Sequence, residues 1–369
     1  MKRLKKVLSA VSAVALTAAS MMSVTGCDNR QELIIYNWGE YIAEDTIAKF
    51  EAAYPQYKVI YRTFETNETM YPNLDNTYDV IIPSEYMVCR LINEQRIQPI
   101  DWSLLPNVTA NMDPMFRDLT YAEDQELSDE VLDYAVPYLY CTVGLVYDAN
   151  RIDIPEGTTD PVQIWGALFD EANARSIGMY DSMRESIGVA LNYLGYSINT
   201  MDENELAEAM QLLIDQKGNL NPTYGVDNLK DKMVSGELAA SVAWSGDHIV
   251  MLDRLAELGK EDVDLRFVLP EGSNWSVDMM CIPTNATNYE GAHDFINFMY
   301  QPDIALENCE YVGYSTPNVA ARDMLDPEVS GNVYYYPTAE IFETLEVYYS
   351  SSQIEERYSE IWNTVKASA

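Results

Sequence analysis

The stretch Leu33-Ile34-Ile35-Tyr36-Asn37-Trp38-Gly39-Glu40-Tyr41 joins an apolar run to a polar and aromatic end. The apolar run predicts a β-strand that stops at the tryptophan. Two aromatic rings beside a carboxylate suit an organic cation, because ring faces and carboxylates attract ammonium groups while the rings also cover methylenes. A binding site is therefore expected at this strand end. The stretch alone leaves open the alternative of a buried Trp38 and Tyr41 that straddle a surface Glu40.

Strand and helix signals alternate outward from this stretch. The pattern predicts strands over residues 33–36, 58–64 and 78–82, and helices over 44–54, from Asn67 through Leu74, and over 87–95. The order βαβαβ predicts a parallel sheet covered by helices on both faces.

Ligands of open α/β sheets sit beyond the carboxyl ends of the strands. The first strand ends at 37–41, the second at 65–68 and the third at 83–86, and all three ends are polar and aromatic. At the second end we expect Asn67 and Glu68 to cap a helix. At the third end, Ser84 and Tyr86 either cap the next helix or line a cleft.

A second α/β pattern follows an extended segment at 136–147. Its predicted strands are 176–180 and 239–244, its predicted helices are 184–194, 204–217 and 229–235, and two strands at 265–269 and 279–283 lead back. The fold class is therefore α/β, with two lobes joined by two crossovers into a hinged clamp. We expect lobe 1 over 28–138 plus 277–318, lobe 2 over 139–276, and a C-terminal helical segment over 319–369 that packs on the lobes.

The first 26 residues have the layout of a secretory signal. Lys2, Arg3, Lys5 and Lys6 precede an apolar run from residue 7 to about 22, which is shorter than the roughly 20 residues of a membrane-spanning helix. Val24-Thr25-Gly26-Cys27 then resembles the bacterial lipobox, which implies cleavage before Cys27 and lipidation of its thiol. We expect an extracytoplasmic protein anchored to the cell membrane by this lipid, periplasmic if the cell has an outer membrane.

The net charge is the second property of the whole chain that bears on its function. After the leader the chain carries 19 basic against 59 acidic residues, a formal net charge of −40. Such a chain repels nucleic acid and anionic lipid and concentrates cationic solutes around it. Acidity that serves only solubility is the alternative.

Cysteine and histidine usage argues against metal sites and nucleophilic catalysis. Cys89, Cys141, Cys281 and Cys309 are widely spaced, without CxxC pairs, so buried thiols are expected. The sequence contains only two histidines, which argues against a histidine-based metal site or a Ser-His-Asp triad. We expect no metal, no cofactor and no enzymatic activity.

Other strand-to-helix corners repeat the chemistry of the first. They are Trp244-Ser245-Gly246-Asp247, Trp275-Ser276-Val277-Asp278, Gly313-Tyr314-Ser315-Thr316-Pro317-Asn318 and Asp181-Ser182-Met183-Arg184-Glu185. Any one of them is more often a cap or a packed aromatic than a ligand contact. Their recurrence on both lobes favours a shared binding cleft.

The sequence resembles the spermidine/putrescine-binding proteins of bacterial ABC importers. The resemblance rests on residues 36–41, 66–71, 78–84, 184–185 with 191–197, and 313–322, in order along nearly the whole chain after the leader. It implies a periplasmic-binding-protein-like clamp, a polyamine ligand, a permease and an ATPase as partners, and a monomeric binding protein.

The resemblance also implies which residues contact the ligand. They are Trp38, Glu40, Tyr41, Ser84 and Tyr86 in lobe 1, Glu185 and Trp244 in lobe 2, Asp278 at a crossover, and Tyr314 closing the cleft. In this scheme Glu185 and Asp278 accept charged hydrogen bonds from ammonium groups, while the aromatic rings sandwich the methylene chain. Among the residues of the first strand end, Trp38 and Tyr41 are stronger candidates than Glu40.

Three departures from the family pattern leave putrescine and spermidine both open. Ser182 stands where spermidine-preferring relatives have an acid, with Asp181 one position away. Ser276 stands where relatives have an aromatic residue, with Trp275 displaced by one. Asp247, in contrast, matches an acid of some putrescine-type relatives.

Three alternatives remain beside a polyamine-binding protein. The first is a receptor for another ligand, such as a modified amine, an amino acid derivative or a ferric complex. The second is an extracellular hydrolase that uses paired acids such as Glu40 and Glu185. The third is a sensor or adhesion lipoprotein in which the clamp signals instead of delivering cargo.

Overall fold

The computed structural model of the protein describes residues 29–349 and 351–368. The expected signal peptide and Cys27 lie outside these residues. The strands of the described part are β1 Gln31–Trp38, β2 Tyr57–Phe64, β3 Val80–Ile81, β4 Ile97–Gln98, β5 Ala135–Asp148, β6 Ile177–Tyr180, β7 Thr223–Gly225, β8 Ala240–Trp244, β9 Leu265–Val268 and β10 Trp275–Pro283.

Helices cover the sheet. In the described part they are α1 Thr46–Ala53, α2 Asn67–Met70, α3 Glu85–Asn93, α4 Pro106–Asn111, α5 Gln125–Tyr134, α6 Pro161–Trp165, α7 Met183–Tyr193, α8 Glu203–Leu220, α9 Asp227–Ser235, α10 Ser245–Leu258, α11 Tyr289–Met299, α12 Pro302–Val312, α13 Val319–Arg322, α14 Pro327–Ser330, α15 Ala339–Phe342 and α16 Ser352–Ala367.

Strand β1 is buried on both faces, as the apolar run predicts. Leu33 and Ile35 are fully buried in one core, while Tyr36, on the opposite face, belongs to another. β1 pairs in parallel with β2 and with β3. A strand covered by helices on both sides needs such a continuous apolar sequence.

The strands follow the order β2-β1-β3-β10-β5-β8-β6-β7, with β4 on β10 and β9 on β5. The parallel arrangement predicted for each lobe is confirmed for β2-β1-β3 and for β8-β6-β7. Strands β5 and β10 are antiparallel to their neighbours and to each other. They are the two crossovers, and the two-lobed α/β fold predicted from the sequence is confirmed.

Strand β5 runs from one lobe into the other. Its first half pairs with β10, from Ala135 to Thr142, and its second half pairs with β8 and β9, from Val143 to Asp148. All 14 of its residues are buried. The strand therefore runs through the interior of both lobes.

Two local predictions differ from the structure. Helix α2 is capped by Thr66, whose hydroxyl accepts from the Thr69 N–H at 3.1 Å, so the prediction that Asn67 caps it is wrong. Asn67 is instead 2 % exposed and points inward. Strand β3 spans only Val80–Ile81, shorter than the apolar run suggests.

The C-terminal segment is helical, as expected. Helix α16 lies on α7 and α8, and the Lys217 ammonium donates to the Ser368 carbonyl at 2.6 Å. An ion pair between Arg90 and Glu355, with an N–O distance of 3.2 Å, connects α16 to α3.

The thiols of Cys89, Cys141, Cys281 and Cys309 are buried and free, which confirms the expectation for these four residues. No helix within 29–349 or 351–368 has both the length and the apolar character needed to cross a membrane.

Candidate ligand-binding site

Aromatic rings connect the strand ends of the two lobes. Trp38 ends β1 and Trp244 ends β8. The Tyr41 ring lies 6.5 Å from the Trp38 ring and 5.6 Å from the Tyr314 ring, between centroids. Tyr314 in turn lies 6.5 Å from Trp244. The structure therefore brings these four predicted residues together into one aromatic chain.

Asp278 lies beside this chain with two neutral hydrogen-bond donors. The Tyr41 hydroxyl donates to Oδ2 at 2.6 Å, and the Ser84 hydroxyl donates to Oδ1 at 2.8 Å. Burial raises the pKa of Asp278 to about 6, although both hydroxyls favour the charged form. A partly buried carboxylate without a cationic partner is an attractive position for an ammonium group.

Ser84 lines the cleft and does not cap the next helix. It occupies the N-cap position of α3, but its side chain makes no capping hydrogen bond and is turned toward Asp278. The Trp38 indole N–H is also buried without a hydrogen-bond partner, yet it lies close enough to Asp278 to lower the pKa of that carboxyl.

Tyr86 is held by residues that follow β2. Its hydroxyl donates to Glu68 Oε1 at 2.9 Å and accepts from Asn67 Nδ2 at 2.9 Å. Asn67 Nδ2 also lies 3.1 Å from the Ser84 hydroxyl. This supporting role of Asn67 and Glu68 was not predicted, although their position at the carboxyl end of a strand was a signal for it.

Glu185 lies in the first turn of α7 and accepts a hydrogen bond from the Ser182 hydroxyl. Burial raises the pKa of Glu185, and its charge contributes to the raised pKa of Tyr86. The charge of this lobe 2 acid is therefore near enough to affect the titration of a lobe 1 side chain. The Ser182 hydroxyl orients this acid.

Asp247 is already paired with a cation of the chain. Lys230 Nζ lies 3.1 Å from Asp247 Oδ1, and the Tyr180 hydroxyl donates to Oδ2 at 2.8 Å. The side chains of Lys230 and Asp247 are 16 % and 6 % exposed. The Tyr180 ring also stacks on Trp244 with centroids 4.4 Å apart. No local sequence pattern indicates either partner, because both contacts arise only in the folded chain.

A glycine contact positions Tyr314. A Cβ atom on Gly246 would lie 2.1 Å from Tyr314 Cδ1 and 2.7 Å from the Gly313 carbonyl oxygen. Gly313 itself has a φ of +83° at the end of α12. The ring of Tyr314 can reach the cleft because position 246, at the start of α10, has no side chain.

Glu40 stands apart from this cluster. It is exposed, and its backbone adopts a left-handed φ of +48° directly after Gly39. The structure therefore places Glu40 outside the cluster that contains Trp38 and Tyr41.

Two α/β lobes whose strand ends present aromatic rings and buried carboxyls to a common cleft define a class of two-lobed ligand-binding proteins. The sequence pattern of the bacterial extracellular solute-binding proteins matches residues 45–334. The chain belongs to this family.

Individual relatives narrow the resemblance further. The chain is 33 % identical over 371 residues, covering 100 % of itself and 99 % of the relative, to the spermidine/putrescine-binding periplasmic protein of Escherichia coli. A solved structure described as a spermidine/putrescine ABC transporter from Listeria monocytogenes is 35 % identical, with a TM-score of 0.77 over 91 % of this chain and 99 % of that one. The TpPotD lipoprotein of Treponema pallidum is 25 % identical, with a TM-score of 0.72 over 91 % of this chain and 99 % of that one. The resemblance predicted from the sequence is confirmed.

Proposed function

We propose that the protein captures a polyamine, putrescine or spermidine, between its lobes and delivers it to an ABC importer. The observation that carries the proposal is Asp278, a partly buried carboxyl hydrogen-bonded to Tyr41 and Ser84 and surrounded by aromatic rings. The names of the relatives from Escherichia coli and Listeria monocytogenes support the same ligand class.

The layout of the acids supports an elongated cation over a ferric complex. Asp278 lies on β10 and Glu185 on α7, and each has its own hydroxyl partners. Acids on separate elements along an aromatic slot suit amino groups separated by methylenes. A compact metal complex needs oxygen ligands that converge on one point.

We infer capture without turnover. Hydrolysis by paired acids requires two carboxyls that flank one bond. Glu40 is exposed on the surface, whereas Glu185 is half-buried and bound by Ser182. These different environments support a binding role, in agreement with the family of solute-binding proteins.

Calorimetry on the protein purified without its leader tests the proposal. Putrescine and spermidine are expected to bind at one site, whereas neutral and anionic amino acids of similar length are not. No measurable binding of either polyamine at low salt would contradict the proposal. A ferric complex that binds instead would identify the alternative ligand.

The proposed lobe boundaries are 28–138 plus 277–318 for lobe 1 and 139–276 for lobe 2. The change of pairing partner of β5 at Val143 supports a boundary near this point. In this proposal the lobes close on a ligand that touches both, because such a ligand stabilises the closed state.

We also propose that the protein is a monomer that docks on a permease with its ATPase. We further propose that a lipid on Cys27 anchors it to the membrane. The lipobox-like sequence before Cys27 supports the anchor, as does the relative described as a lipoprotein. Metabolic labelling with a fatty acid is expected to mark the wild-type protein and not Cys27→Ser. Equal labelling of both would contradict the anchor.

A further inference from the structure

Glu85 is a buried acid near the binding site described above. It is not one of the residues assigned to that site. It is the first residue of α3 and is 0 % exposed. Its Oε2 accepts from the Ser276 hydroxyl at 2.8 Å and from the Val277 N–H at 3.0 Å. Its Oε1 is buried without any hydrogen-bond partner. A buried carboxyl oxygen without a partner is costly, so this atom calls for an explanation.

The strand β10 places Glu85 on the cleft side. Ser276 and Asp278 are two residues apart on β10 and both are partly exposed, whereas Trp275 and Val277 are buried. Side chains two residues apart share one face of a strand and lie about 7 Å apart. Because Glu85 binds Ser276, its carboxyl neighbours the same face that presents Asp278.

The neighbouring residue on α3 confirms this alignment. Ser84 forms a β-bridge with Asp278, and the Met279 N–H donates to the Pro83 carbonyl at 2.8 Å. Residues 83–85 therefore run along β10, with the Ser84 hydroxyl bonded to Asp278 and the Glu85 carboxyl bonded to Ser276 and Val277. The Glu85 carboxyl is therefore held beside a position two residues along β10 from Asp278.

The surroundings of Glu85 contain no compensating cation. No ion pair among residues 29–349 and 351–368 involves it. Burial raises the pKa of Glu85 to about 8, and the negative charge of Asp278 adds to this effect. The titratable groups that face it are Asp278 on β10, Cys89 on α3, Tyr121 before α5, Cys141 on β5 and Tyr348 before α16.

We propose that Glu85 is a further ligand-recognising acid, whose free Oε1 accepts a hydrogen bond from an amino group adjacent to the one at Asp278. The inference rests on the proposed polyamine function and deepens it. In the empty site the carboxyl is neutral and carries its own proton. When a ligand ammonium group enters, the carboxyl releases this proton to solvent and pairs with the ammonium as a carboxylate. A ligand with three amino groups gains more from this additional acid than one with two.

Calorimetry with spermidine and putrescine tests the inference on wild type and Glu85→Gln. Glutamine keeps the acceptor for Ser276 and Val277 but cannot ionise. Titrations near pH 7 in buffers of different ionisation enthalpy count the protons exchanged. Wild type is expected to release nearly one proton per spermidine bound. Glu85→Gln is expected to release almost none and to bind spermidine about tenfold more weakly, with a smaller loss for putrescine.

Glu257→Gln is the matched control, because it removes one exposed carboxylate at the far end of α10. It is expected to leave affinity and proton release unchanged. Unchanged spermidine affinity and proton release in Glu85→Gln would overturn the inference. If that variant does not fold, a wild type that binds spermidine without releasing a proton overturns it equally. A wild type that binds no polyamine contradicts the proposed function itself, a distinct result.

Discussion

Asp278 shows how neutral neighbours prepare a carboxyl for a cation. Tyr41 and Ser84 satisfy both of its oxygens without neutralising its charge, and burial still raises its pKa to about 6. A guanidinium or ammonium group of the chain in the same place would compete with the ligand. The hydroxyls orient the carboxylate and leave its charge for an incoming amine.

Polyamine affinity is expected to fall as the pH falls through about 6. The folded-state pKa of Asp278 is raised from 3.8 to about 6, so protonation below this value removes the charge that the ligand needs. For the empty protein the sign is opposite, because a raised pKa means that stability decreases as the pH rises from about 4 to about 6. Calorimetry from pH 5 to 8 measures the first effect.

Asp278→Asn is the variant for this titration. It is expected to weaken binding at pH 7 by at least about tenfold, since a charged hydrogen bond contributes ~1.5–3 kcal/mol, and to flatten the pH dependence around 6. A variant that retains the wild-type pH profile would show that another group titrates.

Individual contact residues were predictable where their chemistry is local. Trp38 and Tyr41 follow an apolar strand directly, so their place at its carboxyl end could be inferred from the sequence. The pairing of Lys230 with Asp247 was not predictable, because the two residues meet only through the packing of α9 against α10. Glu85 was overlooked, because a glutamate at a helix start is commonly a solvated first-turn residue.

The elements themselves follow from hydrophobic patterning. The predicted ranges for β1, β2, β6 and β8 agree with the structure to within a few residues. Strand β10 is longer than predicted, since Trp275 to Asp278 alternates buried and partly exposed residues and pairs with β5. This alternation is a weaker signal than the continuous apolar run after it.

Lys230 on α9 pairs with Asp247 on α10. The variant Lys230→Gln tests how much this ion pair stabilises the protein. The variant leaves Asp247 buried without a cation, so we expect a loss of ~3 kcal/mol in the free energy of unfolding. Saturating spermidine is expected to restore part of the lost free energy of unfolding if one of its amines pairs with Asp247 in place of Lys230. Denaturant unfolding with and without ligand measures both values.

Lys232→Gln is the control on the same helix. Lys232 pairs with Glu237 on the surface, with side chains 29 % and 55 % exposed, and such pairs contribute under about 1 kcal/mol. Equal destabilisation by the two variants would show that burial of the Lys230 pair has no special effect.

Gly246, the second residue of α10, has no side chain and therefore leaves space for the Tyr314 ring. Gly246→Ala would place a methyl group 2.1 Å from the Tyr314 ring and 2.7 Å from the Gly313 carbonyl oxygen, so the ring and the backbone that carries it must both move. We expect polyamine affinity to fall by at least tenfold while the helix itself is retained. Gly166→Ala is the control, since its Cβ would meet only Tyr193 at 4.0 Å. Equal affinity of both variants would contradict a role for the ring in binding.

At the scale of the whole molecule, the net negative charge of the chain and the acids of the proposed cleft both favour cationic ligands. The formal charge of −40 after the expected leader attracts cations to the protein, and in the proposed site the rings and carboxyls at the strand ends of the two lobes select among them. Composition predicted the attraction and the βαβ order predicted the two lobes. Neither predicted how close the acids of the two lobes come, because that distance depends on how the lobes pack.

Four carboxyls contribute to the raised pKa of the Cys141 thiol, after the larger effect of its burial: Asp278, Asp247, Glu85 and Glu185. Cys141 lies on β5, so the charges of acids from both lobes act on the middle of this crossover. Without a ligand, their mutual repulsion and their desolvation oppose closure of the lobes. In the proposed function, a polyamine neutralises part of this charge and stabilises the closed arrangement.

The lobes of the ligand-free protein are therefore expected to open as the pH rises from about 6 to about 8. In this interval Asp278 and Glu85 lose the protons that they hold in the closed state, with pKa values of about 6 and about 8, so the state in which both are hydrated gains population. Small-angle X-ray scattering should show a larger radius of gyration at pH 8 than at pH 5 without ligand, and the smaller value at both pH values with saturating spermidine. The double variant Asp278→Asn, Glu85→Gln should remain compact across the same range. A radius that depends on neither pH nor ligand would contradict closure driven by the charge of these acids.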